Sequence, residues 1–162
     1  MAVIVSDTSP IRALAHLGRI GLLHNLFGIV LLPPAVDEEL RHPPTGLPLV
    51  DVRELGFISI RAPNDHQRVE DLMRSLDPGE SEALALALEL GVSVILIDEA
   101  AGGAMAVHLG LQPVGVLGTL VRAKQRGLID GVGSLMECLE SEIGFFISEQ
   151  LRTEILRRAG EL

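Results

Sequence analysis

Two short apolar runs, each ending in a carboxylate, constrain this chain more than anything else in it. Ala2-Val3-Ile4-Val5-Ser6 runs into Asp7, and Val92-Ser93-Val94-Ile95-Leu96-Ile97 runs into Asp98-Glu99. Segments this short and this rich in Val and Ile read as strands buried on both faces of a parallel sheet. Open α/β sheets bind ligands beyond the carboxyl ends of their strands. Two acids placed there imply a shared acidic cleft, and such a cleft calls for a cation.

The rest of the chain alternates strand and helix patterns, which predicts an α/β layered domain with a mainly parallel, roughly five-stranded sheet over residues 1–162. Strands are expected at 2–6, 29–32, 57–61, 93–97 and 113–116. Ser9-Pro10 reads as an N-cap with proline at the first helical position. Pro33-Pro34 opens a helix through Arg41, and Leu49–Leu55 reads as a short helix. Asp77-Pro78-Gly79-Glu80 reads as a capping box at the head of a nearly all-apolar, hence buried, helix. Right-handed crossovers and the change of direction in a doubly wound sheet set the first and fourth strands side by side, bringing Asp7 and Asp98 together at the switch point.

Composition narrows the possibilities. A chain that is 48% hydrophobic is no disordered segment, and with no Trp or Tyr its core must be aliphatic. No apolar stretch reaches the ~20 residues of a membrane span, and the N-terminus lacks the basic region of a signal peptide. The lone Cys138 forms no internal disulfide and suits a reducing cytoplasm. A net charge of −9 argues against a general nucleic-acid coat, although a metal site concentrates carboxylates too.

Two helices offer further acids. Glu39 lies three residues after Val36 on the stripe that Val36 and Leu40 mark as buried, whereas Asp37 and Glu38 are expected to point elsewhere. Glu80 is occupied by the capping box, which leaves Glu82 as the acid at the start of a buried helix in need of an explanation. Oxygen donors without clustered Cys or His favour Mg²⁺ or Mn²⁺ over zinc. The five histidines show no metal-ligand spacing, and Phe145-Phe146 reads as core.

At this point the motifs become familiar. Val5-Ser6-Asp7-Thr8-Ser9-Pro10, Leu32-Pro33-Pro34-Ala35-Val36-Asp37-Glu38-Glu39-Leu40, Pro78-Gly79-Glu80-Ser81-Glu82-Ala83-Leu84-Ala85-Leu86-Ala87 and Ile95-Leu96-Ile97-Asp98-Glu99 resemble, in order and spacing, the motifs of PIN-domain proteins. The tail from Gly144-Phe145-Phe146-Ile147-Ser148 to Arg158-Ala159-Gly160-Glu161 is similar to a small prokaryotic subfamily akin to VapC toxins. The resemblance implies an α/β/α sandwich and a Mg²⁺- or Mn²⁺-dependent endoribonuclease toxin paired with an antitoxin. By position it assigns Asp7, Glu39, Glu82 and Asp98 as the four acids and Glu99 as an adjacent metal-sharing acid. Thr8, Ser9 and Thr119 become small polar residues of the pocket.

One departure stands out within that resemblance. Where relatives carry arginines after the fourth-strand acids, this chain reads Ala100-Ala101-Gly102-Gly103-Ala104. Arg12, Arg41, Arg122, Lys124 and Arg126 remain as candidates for RNA contact. The rival expectation is a catalytically inactive PIN-fold binding module. Phe145-Phe146, if exposed, would suit a homodimer contact or an antitoxin helix. A phosphate-binding loop is absent, because Gly115-Val116-Leu117-Gly118-Thr119 lacks both the spacing and the lysine.

Overall fold

The aliphatic runs form the strands β1 (Val3–Ser6), β2 (Ile29–Leu32), β3 (Ile58–Ile60), β4 (Val94–Leu96) and β5 (Gln112–Val114). The computed structural model describes residues 2–98 and 100–162. All pairings are parallel and the strand order is β3-β2-β1-β4-β5. The chain thus winds outward from β1 in one direction and returns to β1 through β4. The switch point lies between β1 and β4, where Val5 pairs with Ile95 and Ser6 with Leu96.

Successive residues of each strand serve opposite faces of the sheet. Ile4 and Leu96 pack into a core shared with α1 (Thr8–His16), α2 (Gly21–Phe27), α3 (Pro34–Arg41), α7 (Val116–Gln125), α8 (Gly133–Ile143) and α9 (Glu149–Arg158). Val5, Ile95 and Ile97 pack into a second core built with α5 (Pro78–Leu90) and α6 (Ala100–His108), next to α4 (His66–Leu72). Helices on both faces make the layered domain with a parallel sheet that the strand–helix alternation predicts, in the α/β/α form that the resemblance implies.

Local starts and stops mostly follow the sequence. Asp77 accepts a hydrogen bond from Glu80 N at 2.8 Å while Asp77 N donates to Glu80 Oε1 at 3.2 Å, so the predicted capping box forms. Gly91, at φ +68°, ends the helix in the left-handed conformation that glycine adopts without strain. Three details differ. Asp7, not Ser9, is the N-cap of α1, and Pro10 falls at the third helical position, where its missing N–H still costs nothing. The helix expected at 49–55 shrinks to a single 3-10 turn, Val52–Glu54. Asp37, expected to point away from the stripe of Val36 and Leu40, is only 6% exposed and pairs with Arg41.

Candidate active site

β1 delivers Asp7 to the carboxyl edge of the sheet. Its backbone N–H donates to Leu96 O at 2.8 Å, which fastens the acid to the end of the neighbouring strand. Its side chain is 3% exposed. Burial pushes the Asp7 carboxyl up to about 8; a hydrogen bond from the Thr8 backbone opposes this, and the negative charges of Asp77, Glu80 and Glu39 add to it. The residue is therefore the centre of an acidic cluster contributed by β1, α3 and the head of α5.

Each neighbour is held by something identifiable. Thr8 Oγ1 donates to Glu39 Oε2 at 2.5 Å, tying the first turn of α1 to α3. Glu80, 5% exposed, is aimed by the capping box. Asp98, at the end of β4, accepts a hydrogen bond from Val116 N at 2.7 Å, at the N-terminus of α7, where the helix dipole favours a carboxylate. Asp7, Thr8, Glu39 and Asp77 border one cleft and Asp98 borders another, and Ser9 and Arg12 line both.

Three glycines make this packing possible. A Cβ on Gly79 would lie 2.8 Å from Glu39 Oε1, one on Gly102 2.6 Å from Ile97 Cδ1 and 2.7 Å from Glu80 Oε2, and one on Gly115 would collide with Asp98 Oδ1. None of the three needs positive φ, so what the missing Cβ supplies is room for an acid. Gly102 lies in the Ala-Gly segment after β4. That segment lacks arginines and instead leaves space for a carboxylate.

The predicted residues divide accordingly. Asp7 and Glu39 come together, and Asp98 stands at the end of the adjacent strand. Glu82 does not join them: its Oε1 accepts a hydrogen bond from Ala35 N at 3.1 Å, capping the N-terminus of α3. The roles expected for Glu80 and Glu82 are thus exchanged, because Glu80 serves the capping box and the cluster together. Asp77, read in the sequence only as a helix cap, is a further acid of the cluster. Glu99 lies outside the described residues. Thr119 is fully buried and its Oγ1 donates to Gly115 O at 2.9 Å, so it braces the turn that holds Asp98 and does not line the cleft.

The expected RNA-contacting cations are engaged within the protein. Arg12, 9% exposed, donates to Glu39 O at 3.0 Å and to Pro48 O at 3.2 Å. Arg41 pairs with Asp37 and Glu38, and Lys124 pairs with Glu161 at 3.0 Å. Arg122 sits over the Phe27 ring, 5.6 Å from its centroid, while bordering the cleft next to Asp98. Arg126 donates to Asn25 O at 3.3 Å. Phe146, expected in the core, is 86% exposed; Phe145 alone packs against it.

The donor set suits a hard divalent cation. It consists of carboxylate oxygens with no sulfur or nitrogen among them, and it gathers negative charge around a buried acid that has no cationic side chain as its direct partner in the described hydrogen bonds or ion pairs. Acids at the switch point of a parallel sheet stand where open α/β sheets bind their ligands. A family model described as a PIN domain matches residues 3–161, and the chain belongs to that family, whose members are generally nucleases. A stretch of 105 residues, 64% of the chain, is 30% identical to a protein of Methanosarcina acetivorans named as a putative ABC transporter ATP-binding protein, and spans only 16% of that protein. No solved structure matches the chain.

Proposed function

We propose that the chain is a divalent-metal-dependent endoribonuclease, the toxin of a toxin–antitoxin pair, acting in the cytoplasm as one PIN-like unit. The observation that carries this reading is Asp7, buried and ringed by Glu39, Asp77 and Glu80 at the point where the sheet reverses direction. Burying a carboxylate among others costs free energy in the metal-free protein, and a bound cation offsets that cost. Asp7, Glu39, Glu80 and Asp98 would hold Mg²⁺ or Mn²⁺, with Asp77 beside them. Such a cation supplies an activated water and neutralises charge on the phosphodiester.

The protein's own groups supply position. Asp7 gives up its carboxyl proton when the cation binds, which makes occupancy depend on pH. Thr8 Oγ1 keeps Glu39 turned toward the cluster, and Val116 N keeps Asp98 at its strand end. The N-terminal turn of α1 presents backbone N–H groups beside the acids, suited to a substrate phosphate. An inactive PIN-fold module, binding an antitoxin or a second copy, is the competing reading. The engagement of Arg12, Arg41 and Lys124 within the protein favours it.

Cleavage of single-stranded RNA by the purified protein, with and without Mn²⁺, separates the two. Metal-dependent cleavage that Asp7→Asn and Asp98→Asn abolish, with folding intact, is the expected result. Glu80→Gln should reduce cleavage about 100-fold or more, whereas Glu82→Gln should act mainly on stability through the α3 cap. Absence of cleavage alongside intact metal binding would favour the module. Equal residual activity in the Asp7 and Asp98 variants would sink the nuclease.

A further inference from the structure

At the opposite end of α1 from Asp7, three side chains of different chemistry converge. His16, the last residue of α1, places Nε2 3.2 Å from Glu142 Oε1 near the end of α8. Cys138, one turn earlier on α8, donates from Sγ to Glu142 Oε2 at 2.8 Å. One ligand atom from each residue lies within 4.8 Å of the other two. Cys138 and Glu142 share a helix face by their spacing of four, but His16 arrives from 122 positions before Cys138 in the chain, so tertiary packing alone creates the group.

We propose that His16, Cys138 and Glu142 form a second metal site, selective for zinc-like cations over Mg²⁺. Thiolate, imidazole and carboxylate together are the donors that zinc prefers, whereas a thiolate adds nothing for Mg²⁺. Tetrahedral zinc with ligand distances of about 2.0–2.3 Å sets its donors roughly 3.3–3.7 Å apart. The His16–Glu142 contact, 3.2 Å, lies just below that range. The 2.8 Å Cys138–Glu142 contact lengthens by about half an ångström as the thiol proton leaves. Both changes are within side-chain adjustment of three donors already within 4.8 Å of one another. The local field favours a cation as well. Both α1 and α8 end here, directing the negative ends of their dipoles at the site, and Glu142 brings a carboxylate to it, while Glu140 of α8 is already paired with Arg152 of α9. Binding displaces the thiol proton and breaks the present hydrogen bonds to Glu142, leaving one coordination position for water. The bound ion ties the last turn of α1 to α8. Nine helical residues separate this site from the N-terminus of α1, about 13 Å along the axis, so it shares no ligand with the carboxylate cluster.

Cobalt(II) titration tests this directly, under a non-thiol reductant and in the full chain carrying Asp7→Asn to weaken the carboxylate site. The expected result is a thiolate-to-cobalt charge-transfer band that saturates at one equivalent, is erased by zinc and is unaffected by millimolar Mg²⁺. Cys138→Ala should abolish the band, and His16→Ala should weaken cobalt binding at least tenfold, each with an unchanged circular dichroism spectrum. No band up to millimolar cobalt, or a band indifferent to His16→Ala, would overturn the site. Because the readout is spectroscopic and free of RNA, either result leaves the nuclease reading where it stands.

Discussion

Asp7 is where residue chemistry and stability meet. Its folded-state pKa of about 8 lies above the ordinary carboxyl value of 3.8, so between those values the folded, metal-free protein holds a proton that the unfolded chain releases. The contribution of Asp7 to stability therefore falls as pH rises from about 4 to about 8, and levels off above that. Asp7→Asn removes the penalty, and at pH 8 the metal-free variant should be more stable than wild type by on the order of 2–5 kcal/mol. The gain should vanish near pH 4, as chemical denaturation at both pH values would show. A variant less stable at pH 8 would mean that the carboxylate is already compensated. Gly115 makes the complementary point, because its Cβ would collide with Asp98 Oδ1. Gly115→Ala should cost about 1–3 kcal/mol through the lost Val116 contact and weaken Mn²⁺ binding about tenfold, measured by thermal melting and calorimetry. The glycines' part was not legible in sequence, where Gly79, Gly102 and Gly115 read only as a helix start, a gap in an arginine pattern and a broken loop motif. A missing Cβ signals its purpose only when the acid it accommodates is beside it.

Among the elements, the head of α5 does the most. Its capping box was legible because both partners lie three positions apart in one local motif, Asp77-Pro78-Gly79-Glu80. What stayed hidden was that capping and site membership coexist in Glu80: one carboxylate oxygen reaches the Asp77 N–H while the other packs by Gly102. Asp77→Ala should cost about 1 kcal/mol as a lost cap, and it should also lower the pKa of Asp7 by removing a neighbouring charge, a change that NMR titration of the Asp7 carboxyl would follow. An unmoved Asp7 titration would place Asp77 outside the cluster. α1 and α3 depend in the same way on a long-range clamp. Arg12 joins Glu39 O to Pro48 O, so Arg12→Ala should loosen residues 42–48 and destabilise the fold by about 1–3 kcal/mol, with faster amide exchange in that segment. Sequence marked Arg12 as a surface cation because nothing local to it distinguishes a buried guanidinium from an exposed one.

For the whole molecule, the strand order β3-β2-β1-β4-β5 turns two distant acids into neighbours. If the cluster holds a divalent cation, Mg²⁺ should raise the melting temperature, and more at pH 8 than at pH 6, since the cation competes with the Asp7 proton. Chelation should reverse that gain and leave the fold intact, because the two aliphatic cores on either side of the sheet contain none of the cluster's acids. Equal shifts at both pH values would separate cation binding from Asp7. The sequence by itself determined the alternation of strands and helices, the parallel sheet, the adjacency of β1 and β4, and Asp7 and Asp98 at their ends, because periodicity, caps and crossover handedness are local or nearly so. Tertiary structure alone decided which oxygen faces which neighbour. It gave Glu80 to the cluster and Glu82 to the cap of α3, buried Arg12, exposed Phe146, and brought His16 to Cys138. Those outcomes depend on how helices far apart in the chain dock against one another, and no pattern within a single element encodes that.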